Sequence, residues 1–206
     1  MIAHHVHDAL SQVRRLQSLL LERSMFEGYS GKARAVSGIV TLINTVVLAS
    51  ALVPRTPAAH LAAWAITLAV ALLLNYVALI WWFLFDPRVR RNPRMLKPAV
   101  DAVPALAVGA VLSLATILAG QYQFLFGIWM CLYGLAQVAY RQSLPRGIYA
   151  VGLAYLIAGA VCLLTAAPFV NPWPMGLTFF LGEMAGGFIL ITHDHRLAED
   201  QHDDQA

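Results

Sequence analysis

The 206-residue chain is 59% hydrophobic and only 12% charged. Soluble domains carry about 25% charged residues, so this composition excludes a water-soluble globule and makes lipid the solvent for long apolar runs. The formal net charge of +3 does not argue for a nucleic-acid partner, because the basic residues sit at the ends of apolar runs, where a membrane topology needs them.

The pattern predicts an all-α integral membrane bundle: six transmembrane helices preceded by a cytosolic amphipathic helix. Residues 1–34 form the pre-membrane segment. Val6, Ala9, Val13, Leu16 and Leu20 follow a 3,4 spacing, which predicts one helix over about residues 8–26. Arg14, Arg15, Glu22 and Arg23 lie mostly off that stripe, and Gly28 and Gly31 are its stop signals. Such a helix can lie on the membrane surface, dock on the bundle, pair with a second copy as a homodimer, or meet a cytosolic protein.

Six apolar segments follow, over about residues 35–53, 61–85, 99–119, 124–140, 148–167 and 173–192. Each is close to the roughly 20 residues that cross about 30 Å of hydrocarbon at 1.5 Å per residue. The runs are continuous rather than alternating, which selects helices over a barrel. Pro54 and Pro57 break the chain between the first two spans, and Pro168, Pro172 and Pro174 mark the last loop. Trp81, Trp82 and Phe83 form an interfacial aromatic cluster. Residues 193–206 are a polar tail with too few apolar residues to fold alone. Cys131 and Cys162 both fall in apolar runs, where a cysteine behaves as a small apolar side chain.

Thirteen of the fourteen Lys and Arg residues fall on one side of this topology, and Arg55 alone falls on the other. The positive-inside rule then places both termini in the cytoplasm.

Glu183 is the outlier, near the middle of the sixth span. An ionised side chain at the bilayer centre costs roughly 2.5–3.5 kcal/mol on insertion scales. The expected spans hold no basic residue to pair with it, so the expected state is a neutral Glu that donates a hydrogen bond. Asn44, Asn75 and Tyr155 lie at similar depth, which predicts a midplane polar cluster of these four. Gly182 and Gly186 flank Glu183 and would let a neighbouring helix approach. This cluster reads either as a proton-titrating or ligand-binding site or as a device for helix packing.

His4, His5 and His7 at one end, and His193, Asp194, His195 and His202 at the other, share the cytoplasmic face and are weak metal candidates; their spacings match no structural zinc pattern. No cofactor is indicated. Arg88, Arg90, Arg91, Arg94 and Lys97 fill the second loop, which reads as a topology determinant or as a contact for anionic lipid or an acidic partner. No GxSxG, HExxH or P-loop pattern is present, which argues against an enzyme.

The stretch Glu22-Arg-Ser-Met-Phe-Glu-Gly-Tyr-Ser-Gly31, followed by Val36-Ser-Gly-Ile-Val40, resembles the junction before the first span in a group of bacterial multi-spanning inner-membrane proteins with no settled activity. The resemblance implies a bacterial inner-membrane location and carries over no catalytic residue. Two functions follow from the residues: a non-enzymatic sensor, regulatory or assembly component, or a small proton-coupled transporter built on Glu183.

Overall fold

A computed structural model of the chain describes residues 30–85, 103–139 and 145–203, with residues 194–203 as backbone only. The expected amphipathic helix, the basic loop from Arg88 to Lys97, and His4, His5 and His7 lie outside the described residues.

Among the described residues the fold is all-helical, with no strand. The helices are α1 (Gly31–Ala49), α2 (Pro57–Phe85), α3 (Val103–Leu118), α4 (Leu125–Ala139), α5 (Arg146–Thr165) and α6 (Trp173–Asp203), with a 3-10 turn, Tyr122–Phe124, before α4. Among the described residues, five stretches are long and apolar enough to cross a membrane: Gly31–Ala49, Pro57–Phe85, Tyr122–Ala139, Arg146–Thr165 and Trp173–His193. A further apolar helix, Val103–Leu118, is shorter. Large apolar side chains point outward on every helix, among them Ile43, Leu73, Leu118, Leu135, Leu164 and Phe188. Water would penalise that surface and lipid does not, so the chain is a multi-pass membrane protein.

Helix ends differ from the sequence expectation for local reasons. α1 begins four residues earlier, because the Ser30 hydroxyl accepts the Ala33 N–H at 3.2 Å and caps it. It ends at Ala49, where Ser50 adopts extended backbone. α2 begins at Pro57 rather than residue 61; proline suits the first helical position, where its missing N–H costs nothing. α5 ends where Ala166 turns left-handed at φ 47°. α6 runs eleven residues past the expected end of the span, so residues 193–203 continue that helix instead of forming a separate tail. Extending a formed helix avoids the cost of nucleation, and polar residues outside the apolar span can propagate it.

The helices pack laterally in the order α2, α1, α6, α5, α4, α3, with α1 against α6 and α4 against α5 as the two most extensive contacts. Glycines make both contacts close. A Cβ on Gly31 would fall 2.6 Å from the Gly187 carbonyl oxygen, and one on Gly134 would fall 2.7 Å from that of Gly152. In lipid no hydrophobic force drives helices together, so this backbone-level packing carries the association. The two end helices of the arc, α2 and α3, do not pack along each other among the described residues. Between them lies a cavity.

Candidate functional site

Arg34 occupies the fourth position of α1. Its face continues through Ser37, Thr41, Thr45 and Leu48, all buried. The three hydroxyls bond the carbonyl four residues back, at 2.9 Å for Ser37, 2.9 Å for Thr41 and 2.7 Å for Thr45. Self-satisfied hydroxyls can face a neighbouring helix without an unpaired polar group. The same face turns Arg34 toward α6.

There Arg34 Nε donates to Glu183 Oε2 at 3.0 Å, and Arg34 Nη2 donates to Glu183 Oε1 at 2.8 Å. Arg34 is 2% exposed and Glu183 5%, so the pair is sealed from solvent. Two more donors reach the carboxylate: Tyr133 Oη at 2.7 Å from α4 and Tyr155 Oη at 3.2 Å from α5, both onto Oε1. Arginine has only donors to offer, and its planar fork matches a carboxylate. Glu183 is therefore an acceptor of four hydrogen bonds in the geometry of an ion pair, and the expected neutral donor is corrected. The absence of a basic residue within the spans is corrected too: the earlier start of α1 brings Arg34 into that helix.

The glycines beside Glu183 have a different task from the one expected. A Cβ on Gly182 would lie 2.5 Å from the Tyr155 ring, and one on Gly186 would lie 2.7 Å from Arg34 Cζ. They leave room for two of the three partners of the carboxylate, Tyr155 and Arg34. The hydroxyls are held in place by ring contacts. Tyr133 and Tyr155 meet edge to face at 5.0 Å, and both touch Phe179, at 5.4 and 5.0 Å.

Of the four residues expected to cluster, Glu183 and Tyr155 meet. Asn75 Nδ2 instead donates to Ser37 Oγ at 3.1 Å and to the Ala71 carbonyl at 2.9 Å. Asn44 Nδ2 is buried with no partner and makes no hydrogen bond to Glu183. Cys131 and Cys162 are free thiols. Among the described residues no three His, Cys, Asp or Glu side chains converge as a metal site. His193 lies on α6, and the side chains of Asp194, His195 and His202 lie outside the described residues.

The ion pair forms part of the wall of a cavity of about 420 Å³, lined by α1, α2, α3, α4 and α6. That is within the usual range for small-molecule sites. Ser37, Asn75, Tyr133 and Gln137 surround it near Arg34 and Glu183; Trp64, Phe126 and Phe169 close the other end. Phe126 packs against Trp64 at 5.7 Å and against Phe169 at 4.9 Å. Ser113 takes the Trp129 indole N–H at 2.8 Å on the α3 side. Two polar groups on the wall are buried and unpaired: the Gln137 amide, at both Oε1 and Nε2, and Trp64 Nε1.

Arg34, Tyr133, Gln137 and Trp64 are the site residues that the sequence reading missed. For Arg34 the signal is present: Arg34, Ser37, Thr41 and Thr45 fall on one helical face of an otherwise apolar segment. For the other three no comparable signal exists, since aromatic residues and a single Gln in a span are as compatible with packing. No family model, no curated protein and no solved structure matches this chain.

Proposed function

We propose that the chain is a membrane protein of six spans that recognises a small molecule within the bilayer in a non-enzymatic role, as a sensor, regulatory or assembly component. The observation that carries this reading is the Gln137 amide, buried and unpaired on the wall of the cavity that also presents Arg34 and Glu183. Unpaired buried amides are rare because they are costly. A ligand with a hydrogen-bonding group would satisfy this one.

The topology belongs to the same proposal. Val103–Leu118 has sixteen residues, about 24 Å at 1.5 Å each, and is proposed as the third span. The basic residues, gathered on one side, support cytoplasmic termini, and a bacterial inner membrane is the location proposed with them.

The test is direct. Ala71 lines the cavity, and Ala71→Phe would place a phenyl ring in it. Protein purified in mild detergent should release a small molecule on organic extraction, detected by mass spectrometry, and Ala71→Phe should lose it. Identical extracts from both proteins would refute the reading.

A second reading, a proton-coupled transporter, is favoured by one observation: Glu183 lies in the cavity wall. In proteoliposomes with a pH dye inside, a carrier would lose its proton uptake on Glu183→Gln, whereas a ligand-binding component would show none in either form.

A further inference from the structure

The cavity has two unlike ends, and the helix geometry measures the distance between them. Trp64 and Phe126 touch at the apolar end. Gln137 lies eleven residues beyond Phe126 on α4, which is about 16 Å along the helix axis. Arg34 and Glu183 stand at the Gln137 end, but their charges are already spent on each other. Each carboxylate oxygen holds an Arg34 N–H, and Oε1 holds two tyrosine hydroxyls as well. Among the described residues, an ion entering this space would find no counter-charge free, and a buried unpaired charge is heavily penalised. The groups left over are of another kind. Gln137 offers one acceptor and an NH₂ donor, and Trp64 offers one N–H.

We propose that the cavity takes an uncharged, elongated amphiphile whose hydrogen-bonding head, a hydroxyl or carboxamide, meets Gln137 and whose apolar body runs toward Trp64 and Phe126. This rests on the cavity being a ligand site and specifies the chemistry of its occupant. A head group able both to donate and to accept satisfies the two Gln137 atoms together. The body replaces lipid contacts with aromatic ones, so entry costs the ligand little of its apolar solvation. Access fits the same chemistry, because the seam between α2 and α3 is not closed by packing among the described residues. A molecule already dissolved in the bilayer can approach from the side.

The test uses the full chain in phosphatidylcholine vesicles, with tail-brominated dodecanol as probe and tryptophan fluorescence as readout. Bromine at the tail quenches Trp64 when the hydroxyl sits at Gln137. Trp64→Phe identifies that component against the other tryptophans. The expected result is saturable, Trp64-dependent quenching by the alcohol, with Gln137→Leu raising the half-saturating concentration at least tenfold. Gln137→Met is the second variant, of similar volume, should the first fail to fold. The tail-brominated carboxylate and trimethylammonium analogues should enter the bilayer yet give no saturable component. Equal saturation by either ion would overturn the uncharged-ligand inference while leaving the cavity a binding site. Saturable quenching that neither Gln137 variant weakens would overturn the placement of the head. Quenching that rises linearly for every probe and does not depend on Trp64 would overturn both this inference and the ligand-site reading beneath it.

Discussion

Arg34 and Glu183 meet through two parallel hydrogen bonds of 3.0 and 2.8 Å, although 149 positions separate them in the chain. The contact ties α1 to α6, and the tyrosines of α4 and α5 close on the same carboxylate. Four helices thus converge on one side chain.

That convergence sets the cost of breaking the pair. Removing one partner leaves a buried charge uncompensated, at about 3–5 kcal/mol, whereas replacing both with apolar residues of similar volume is often close to neutral. Glu183→Gln and Arg34→Met should each destabilise the protein by an amount in that range. The Arg34→Met/Glu183→Met double variant should lose less than either alone. Reversible unfolding in mixed micelles measures all three, and additive losses would contradict the pairing.

Gly186 should behave as part of this contact although it carries no side chain. An added Cβ would stand 2.7 Å from Arg34 Cζ, so Gly186→Ala must displace the guanidinium or separate α1 from α6. Overpacking of this kind typically costs about 1–3 kcal/mol. In the Arg34→Met background the same substitution should cost measurably less, because the displaced group is gone. Gly120 offers the contrast: it has open space around it but φ 69°. Gly120→Ala should cost about 1–2 kcal/mol from backbone strain alone, and equally with or without Arg34.

Asn75 is a much smaller contributor. Its amide bridges to Ser37 on α1 and to its own helix, and interhelical hydrogen bonds of this sort in membranes average about 0.6 kcal/mol. Asn75→Leu should therefore shift stability by no more than about a fifth of the loss seen with Glu183→Gln. A larger effect would mean that Asn75 supports the cavity in a way its two bonds do not describe.

The proposed topology makes a separate prediction. Alkaline phosphatase fused after Ala206 should be inactive, and the same enzyme inserted at Arg55 should be active, because only an exported fusion folds with its disulfides. Activity at Ala206 would reverse the orientation inferred from the basic residues.

The apolar segments, their proline and glycine boundaries and the acidic residue out of place among them are all readable along the chain. Each follows from local chemistry: backbone groups in hydrocarbon must bond internally, so a long apolar run is a helix. Even there the start of α1 was decided by one serine cap, and that single turn moved Arg34 from the loop into the helix. Depth along the spans anticipates Tyr155 beside Glu183, whereas Tyr133 joins them only through the tertiary structure, and Arg34 through a helix that starts one turn early. In water an amphipathic stripe reveals which face of a helix is buried. In lipid both faces are apolar, so sequence says little about which way a helix is turned or which helix lies beside it. Tyr133, Gln137 and Trp64 become a site only through the lateral order of the helices, which places α4 and α6 across a cavity from α2.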